Sequence, residues 1–267
     1  MSSHEQEIAN GRRFEFGANW LQFVRTLNET RIAEAEKSLT HMLQVHNLTG
    51  CRFLDAGSGS GLFSLAARRL GATVHSFDYD PKSVACTQEL KRRFFHDDAA
   101  WEISQRSVLD RDNLRALGTF DVVYSWGVLH HTGAMWNAMD NVSALVADGG
   151  RLFIAIYNDQ GLQSRYWHAV KKTYASTPLL RWPLLLLHVP YPWLPSMLLR
   201  LLSGRTEAER GMSLWYDLVD WVGGYPFEVA TPKAVQEFYR ERHFRLDRMK
   251  TTNRLGCNEF VFVKGDC

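Results

Sequence analysis

Two stretches of this sequence have residue types and spacings that could support chemistry, and the first is FLDAGSGSG at residues 53–61. Gly57, Gly59 and Gly61 follow an apolar run and open a helical one. Glycines in such a position let the backbone approach a ligand, and helix N–H groups face that ligand. Asp78 ends the next apolar run, and an acid about 20 residues after such a loop accepts hydrogen bonds from ribose hydroxyls. The loop and the acid together predict a nucleoside ligand, with a purely structural turn as the alternative.

The spacing of the glycines argues against one class of nucleoside ligand. The dinucleotide fingerprint is GxGxxG, whereas this loop is GxGxG and has Leu62 where the later glycine or alanine would stand. Asp80 is better placed than Asp78 to cap the helix that begins at Pro81, which leaves Asp78 for the ligand. The pattern therefore disfavours NAD.

The second stretch is the pair His130 and His131 in VVYSWGVLHH, directly after an apolar run. A histidine suits the role of general base at neutral pH, because its reference pKa is near 6.5. Adjacent side chains usually diverge, and no carboxylate or cysteine within a few residues completes a ligand set, so we expect no metal. Two interpretations stay open: a structural role, such as capping the helix that begins near Gly133, or contact of one ring with acceptor or cofactor. For the second, His130 is slightly preferred to His131 as the catalytic residue.

Alternating apolar runs and helical periodicities surround these residues. Strands are predicted at 51–57, 72–80, within 100–110, and at 120–126, 149–158, 244–251 and 258–264; helices are predicted at 18–47, 60–71, 81–95, 134–146 and 231–244. Strands that alternate with helices at this spacing form βαβ units in a parallel, doubly wound sheet. The loop of about six residues between the last two strands is too short for a parallel crossover, so we expect the sheet to end in an antiparallel hairpin.

The fold prediction is therefore an α/β, Rossmann-like doubly wound sheet of seven strands with a C-terminal antiparallel hairpin and a helical cap insertion. The predicted parts are an N-terminal helical cap (1–47), a ligand-binding core (48–158), a helical, aromatic-rich insertion that binds the substrate (159–229) and a last helix with the terminal hairpin (230–267).

At this point the chain resembles the class I S-adenosylmethionine (SAM)-dependent methyltransferases. Four motifs match in order, LDAGSGSG, SFDYD, RSVLD and DVVYSWGVLHH, and the terminal hairpin matches as well. The resemblance covers 51–158 and, in topology, 231–264, and it implies SAM as cofactor. It places Asp55, Gly57, Ser58 and Gly59 at the methionine part of SAM, Asp78 and Tyr79 at the ribose, Ser107 and Val108 at the adenine, and Ser125, Trp126 and Gly127 along the methionine and the transferable methyl.

Candidate acceptor-binding residues lie in three other segments. Segment 164–174 carries Arg165, His168, Lys171 and Lys172 among aromatic residues and could bind a phosphate or carboxylate, or form a solvated amphipathic helix. Tyr225 and Glu228 follow a Gly-Gly turn, and Asn253, Arg254 and Asn258 surround a hairpin loop on the same sheet edge as the glycine loop, where simple turns are the alternative. By the resemblance, Phe14, Phe16 and Trp20 cover the cofactor or only anchor the first helix.

Composition narrows the function further. The net charge of +2 gives no reason to expect nucleic acid as a partner, and four cysteines without CxxC spacing predict neither a zinc site nor a disulfide framework. A polar N-terminus without an apolar core suggests no signal peptide, so we expect a cytoplasmic protein. Segment 177–202 is very apolar but interrupted by charge and prolines, which predicts a buried helical pair or a weak membrane-surface contact.

These observations predict a SAM-dependent methyltransferase, with O-methylation of a small-molecule, glycan-precursor or lipophilic acceptor. Two alternatives remain: a SAM-binding regulatory or scaffold protein without turnover, and an NAD-dependent oxidoreductase or epimerase. The sequence does not name the acceptor atom or the oligomeric state.

Overall fold

The computed structural model describes residues 3–188, 219 and 221–265, and in them one sheet of seven strands lies between helices. The strands are β1 (Arg52–Ala56), β2 (Thr73–Asp78), β3 (Trp101–Gln105), β4 (Phe120–Trp126), β5 (Val146–Tyr157), β6 (Phe244–Lys250) and β7 (Cys257–Lys264). The helices are α1 (Ser3–Ala9), α2 (Gly17–Arg25), α3 (Glu29–Leu43), α4 (Leu62–Arg69), α5 (Pro81–Phe94), α6 (Arg111–Arg115), α7 (Met135–Ser143), α8 (Leu162–Ser176), α9 (Arg181–His188) and α10 (Pro232–Arg240), with 3₁₀ turns at Leu129–His131 and Pro178–Leu180.

The strand order confirms the predicted fold class. It is β3-β2-β1-β4-β5-β7-β6; β1 to β5 pair in parallel, and β7 is antiparallel to both β5 and β6. The chain reverses its direction of winding between β1 and β4, and in open α/β sheets ligands bind in the crevice outside the carboxyl ends of the strands at such a point. The glycine loop follows β1, so the fold brings it to that crevice.

The N-terminal region differs from the single helix predicted over 18–47. It forms two helices, α2 and α3, because the chain breaks between Arg25 and Glu29. Asn28 adopts an extended conformation there, and its side-chain oxygen accepts a hydrogen bond from the Arg31 N–H, which is the geometry of a helix N-cap. The apolar periodicity continued across the break and hid the cap. Helices α1 and α6 and the 3₁₀ turn at Leu129–His131 were not predicted either.

Apolar side chains fill both faces of the sheet and a third cluster under the cap. One face packs β1, β5 and β7 against α7 and α10, and the other packs the sheet against α3, α4 and α5. The third cluster includes Trp167, Tyr174 and Phe227, and it joins α8 to the segment before α10. The cap is thus fixed to the carboxyl edge of the sheet by its own small core.

The last hairpin contributes its loop to the same edge, as predicted. The Asn158 N–H donates to Gly256 O at 2.9 Å, and Asn158 Nδ2 donates to Thr252 O at 2.8 Å. These bonds tie the end of β5 to the loop between β6 and β7. Of the apolar segment 177–202, residues 189–202 lie outside the described residues, as does Cys267. Among the described helices, none is long and apolar enough to cross a membrane.

Candidate active site

The glycine loop is held in place by hydrogen bonds to the end of β2. Gly57, Gly59 and Gly61 have φ angles of +86°, +53° and +81°, a region that residues with a Cβ rarely adopt. The N–H groups of Gly57 and Ser58 donate to Phe77 O at 2.8 and 3.0 Å. The loop therefore has a fixed shape, with its backbone held at the start of α4.

Both carboxylate oxygens of Asp78 accept hydrogen bonds from backbone N–H groups, one of them in this loop. Its Oδ2 accepts from the Gly59 N–H and its Oδ1 from the Asp80 N–H, each at 2.9 Å. Removal from water raises the pKa of Asp78 to about 6, although the hydrogen bonds from backbone N–H groups oppose that rise. The neighbouring Tyr79 donates its hydroxyl to Glu7 of α1 at 3.3 Å. The predicted ribose residues thus lie between the loop and the N-terminal helix.

Asp55 points into the protein. Ser64 Oγ donates to Asp55 Oδ2 at 2.5 Å, Ser76 Oγ donates to Ser64 Oγ at 2.7 Å, and Trp101 Nε1 donates to Ser76 Oγ at 2.9 Å. Burial is the main reason that the pKa of Asp55 rises to about 7, and the negative charge of Asp78 adds to it. This buried series of hydrogen bonds lies beneath the loop and supports it. If Asp55 contacts a ligand, its carboxyl also keeps the hydrogen bond from Ser64.

The other residues implied for the cofactor also lie at the carboxyl edge. Ser107 and Val108 follow β3; Ser107 Oγ accepts from Leu109 N–H at 3.2 Å, and Val108 O accepts from Asn141 Nδ2 at 2.9 Å. At the end of β4, Ser125 Oγ donates to Ala56 O at 2.8 Å, which joins β4 to the start of the loop. Trp126 is half-buried, and Gly127 has φ +75° with no described atom within 4 Å of an added Cβ.

The N-terminal segment lies against the glycine loop. A Cβ on Gly59 would lie 3.2 Å from the indole nitrogen of Trp20. The Gly17 N–H donates to Asp80 Oδ2 at 2.9 Å, and this fixes the start of α2 to the cap of α5. The ring of Phe16 lies 4.9 Å from that of His131. The segment therefore connects the cofactor loop with the histidine pair.

His131 has a defined tautomer. Its Nδ1 lies 2.6 Å from Pro226 O, and because a carbonyl only accepts, Nδ1 must carry the proton and Nε2 the lone pair. Burial lowers the pKa of His131 to about 3, and the charges of Lys171 and Arg13 act in the same direction. His131 is therefore a neutral imidazole throughout the physiological range, with one nitrogen able to accept a proton.

His130 is buried more deeply than its neighbour, with 0% of its surface exposed against 8% for His131. Burial, followed by the charges of His131 and Lys171, holds the pKa of His130 well below its usual range. The Tyr157 N–H donates to Nδ1 at 3.4 Å, and Nε2 has no hydrogen-bond partner among the described residues. His131 is the more exposed of the two rings, and contact of either ring with an acceptor stays a prediction.

An aromatic cluster beside the histidines was missed from the sequence. The Tyr157 ring, at the end of β5, lies 4.0 Å from the ring of His130, 5.2 Å from Phe227 and 5.8 Å from Trp221. Lys171 of α8 is fully buried and donates to Trp221 O; its Nζ lies 4.7 Å from the Trp221 ring and 5.0 Å from the Phe227 ring. The signal for Tyr157 was its position at a strand end on the ligand-binding edge.

The predicted acceptor residues do not form one cluster. Arg165, His168, Lys172, Asn253 and Arg254 are exposed. Asn258 is fully buried, and its Oδ1 accepts from the Thr252 N–H at 3.0 Å, so it shapes the hairpin loop. Glu228 accepts from the Met135 N–H at 3.0 Å and caps α7. The Tyr225 carbonyl accepts from the Phe14 N–H at 2.8 Å, and its ring lies 6.0 Å from that of the exposed His168.

Comparisons with known proteins agree with this geometry. Residues 54–152 match the family model described as a methyltransferase domain, a range that begins in β1 and ends in β5. The fold resembles magnesium protoporphyrin IX methyltransferase from Synechocystis PCC 6803, solved with bound S-adenosylhomocysteine (SAH): 14% identity, TM-score 0.54, covering 90% of this chain and 89% of that one. Residues 54–152 therefore match a methyltransferase domain, and the sheet that contains them has the fold of that SAH-bound methyltransferase.

Other proteins similar to this methyltransferase domain differ in their chemistry. The N-methyltransferase NodS from Bradyrhizobium japonicum WM9, also solved with SAH, has 14% identity, a TM-score of 0.52, and coverage of 88% of this chain and 87% of that one. A ubiquinone biosynthesis O-methyltransferase from Rhizobium leguminosarum bv. trifolii is 30% identical over 111 residues. That match spans 42% of this chain and 42% of the relative, and it lies far short of the full length of either.

Proposed function

We propose that this chain transfers the methyl group of SAM to a small-molecule acceptor. The observation that carries the proposal is the bond between Asp78 Oδ2 and the Gly59 N–H at 2.9 Å, which fixes an acidic side chain beside a glycine loop at the switch point of the sheet. The two elements that would recognise the nucleoside and the methionine of SAM thus hold each other in place.

The residues present fit the cofactor. An added Cβ would clash with Val128 Cγ1 at 2.4 Å from Gly57 and would lie in tight contact, 3.2 Å, with the Trp20 indole nitrogen from Gly59. Asp78 and Tyr79 would hold the ribose, Ser107 and Val108 would border the adenine, and Asp55, Gly57, Ser58, Gly59, Ser125, Trp126 and Gly127 would hold the methionine and its methyl. When bound, SAM supplies an activated methyl on a sulfonium whose sulfur leaves uncharged.

Methyl transfer of this kind is an in-line displacement, so the main task of the protein is alignment. The nucleophile must approach the methyl at about 3 Å, and a hydroxyl nucleophile must also lose its proton. We propose that Nε2 of His131 accepts that proton, because Nδ1 is committed to Pro226 O. Phe16 and Tyr157, whose rings lie 4.9 and 5.5 Å from that of His131, exclude water and hold the imidazole in place.

We further propose that the acceptor atom is oxygen and that the acceptor has an apolar or aromatic part. The rings of Tyr157, Trp221 and Phe227 form an apolar wall beside His131, and the O-methyltransferase name of the Rhizobium relative supports oxygen. Lys171, behind that wall, would favour an acceptor that develops negative charge as its proton leaves. Lipophilic acceptors with a hydroxyl meet these requirements, and so does a glycan precursor that is linked to a lipid.

A SAM-binding protein without turnover is the second candidate. It is favoured by the low pKa of both histidines, which makes each a weak base. The two functions share the cofactor site and differ only in product.

To test the proposal, the purified chain is incubated with methyl-labelled SAM and a fractionated lysate of its source organism. Aqueous metabolites, lipids, glycans, RNA and protein are counted separately, with Asp78→Ala as the control. The proposal expects label in one small-molecule or lipid fraction that disappears in the variant. Measured SAM binding without label in any fraction would favour the protein without turnover, and the absence of SAM binding would refute both.

A further inference from the structure

The cap carries an exposed apolar surface that the transfer reaction does not use. Four side chains of the 3₁₀ turn Pro178–Leu180 and of helix α9 form this surface, which we call the outer cap face: Leu179, Trp182, Leu186 and Leu187. They are 90%, 65%, 69% and 68% exposed. Single exposed leucines are ordinary on protein surfaces, but contiguous ones mark an interaction site.

The opposite side of α9 packs against the rest of the cap, so the helix that carries the outer cap face is held in place. Leu185 and His188 are buried against α8. His188 Nδ1 donates to Leu184 O at 2.7 Å, which leaves Nε2 to accept from the Tyr166 hydroxyl at 2.7 Å. Arg181 Nε donates to Tyr174 O at 3.1 Å. Helix α9 thus runs back along α8 and presents tryptophan and leucine outward.

The charge pattern around this face is one-sided. Between residues 160 and 188 the sequence has four Lys or Arg residues and no Asp or Glu, and of the four only Lys171 is buried. Arg165 and Lys172 lie seven apart on the exposed side of α8, and among the described residues neither forms an ion pair. Exposed Leu162 and Tyr166 lie on that same side. A basic surface interspersed with tryptophan and leucine complements an anionic phospholipid surface in both charge and polarity.

We infer that the outer cap face docks on the surface of an anionic lipid bilayer. Trp182, Leu186 and Leu187 would enter the boundary between headgroups and acyl chains, while Arg165 and Lys172 face the headgroups. None of the described helices is long enough to span, so the contact is interfacial. Because tryptophan combines an apolar ring with an N–H donor, it suits this boundary.

Docking on lipid extends the proposed function. For the identity of the acceptor, this inference rests on that function. The inner side of α8 places Trp167 and Lys171 against Trp221, and Trp221 adjoins Tyr157 of the site. One pair of helices therefore joins the lipid-facing surface to the wall of the acceptor site. A lipophilic acceptor in the bilayer would reach the site along the cap without crossing bulk water.

The test is sedimentation of the purified chain with vesicles, without SAM or acceptor, so that its outcome is independent of turnover. Vesicles of phosphatidylcholine with phosphatidylglycerol are compared with vesicles of phosphatidylcholine alone. The double variant Leu186→Ser with Leu187→Ser is compared with a control double variant, Leu21→Ser with Met249→Ser. The control side chains are also large, apolar and exposed, at 42% and 40%. They lie on α2 and β6, away from the outer cap face.

The expected result is binding to anionic vesicles that falls at least tenfold in the Leu186/Leu187 variant and stays within twofold of wild type in the control. Arg165→Gln and Lys172→Gln should each weaken binding by about fivefold and reduce its dependence on salt. No sedimentation with either vesicle would overturn the docking inference, as would equal binding by the two double variants.

A second copy of the chain is the other occupant that such a face could take. Sedimentation velocity without lipid distinguishes it: a dimer that dissociates in the Leu186/Leu187 variant would overturn the lipid assignment. Methyl transfer to a lipid fraction that persists without vesicle binding would refute docking while leaving the proposed function intact. The proposed function fails separately, through the absence of SAM binding.

Discussion

Acidification should weaken SAM binding mainly by protonating the carboxyl of Asp78. Its pKa is raised to about 6 by removal from water, and the ionised form is the better acceptor for ribose hydroxyls. Nearly every Asp78 side chain is therefore ionised at about pH 7.5, but only roughly one in eleven at about pH 5. If SAM binds the ionised form alone, its Kd rises about tenfold between the two pH values.

Asp78→Asn removes the titrating group and keeps the shape of the side chain. The amide retains one oxygen for the N–H groups of Gly59 and Asp80, and it places an NH2 group against the other. We expect SAM binding at pH 7.5 to weaken by about tenfold to a hundredfold, the range for loss of one charged hydrogen bond, and to become nearly independent of pH. Titration calorimetry between pH 5 and 8 measures both effects.

Two controls isolate Asp78. The first control is Asp121→Asn. The Asp121 carboxylate also accepts a hydrogen bond from a backbone N–H, that of Arg52, at 2.7 Å, but it lies at the opposite edge of the sheet. This variant should leave the Kd of SAM unchanged. Asp55→Asn should preserve the dependence on pH, since Asp55 bonds to Ser64 beneath the loop. A dependence on pH that is equal in wild type and Asp78→Asn would refute the assignment.

Three further perturbations test other parts of the site. The pKa of Asp55 is about 7 in the folded state and near 3.9 in the unfolded state, so the folded protein favours the protonated carboxyl. This contribution to stability is fully present below about pH 4 and is lost as the pH rises to about 7. The free energy of unfolding of Asp55→Asn, relative to wild type, should therefore increase by up to about 1.4 kcal/mol per pH unit over that window, and denaturant titrations that show a constant difference would contradict it. Gly57→Ala should cost about 2–4 kcal/mol of stability from backbone strain and overpacking; Val128→Ala should relieve only the packing part, and full rescue would refute the strain at φ +86°. His131→Phe keeps an aromatic ring at this position but removes both nitrogens. The kcat should fall about a hundredfold or more, while the Kd of SAM should stay within about twofold of wild type. An unchanged kcat would exclude His131 as the base.

Much of the fold could be predicted because it depends on local patterns. Most strands of the sheet contain a short apolar run, and the loop of about six residues before β7 is too short for a parallel crossover, which predicts an antiparallel end. The prediction was wrong for 18–47, where one apolar periodicity spans two helices and the side chain of Asn28 decides the break. A cap of one residue is a weak signal inside a long periodic pattern.

The candidate site was predicted in part. The glycine spacing and Asp78 could be recognised because close backbone approach and ribose binding both need particular residue types at a particular distance. The relation of the histidines to Pro226 and Tyr157 could not, because these partners lie 95 and 27 residues further along the chain. Lys171 was grouped with exposed basic neighbours, and only the position of α8 shows that it faces the aromatic cluster.

The most direct test of the central claim is a calorimetric titration of the purified chain with SAM, repeated with SAH and with NAD. The account predicts one equivalent of SAM or SAH per chain, little or no heat with NAD, and loss of the SAM signal in Asp78→Ala. Binding of NAD in place of SAM would contradict it, and so would SAM binding that is unaffected by loss of the Asp78 carboxylate.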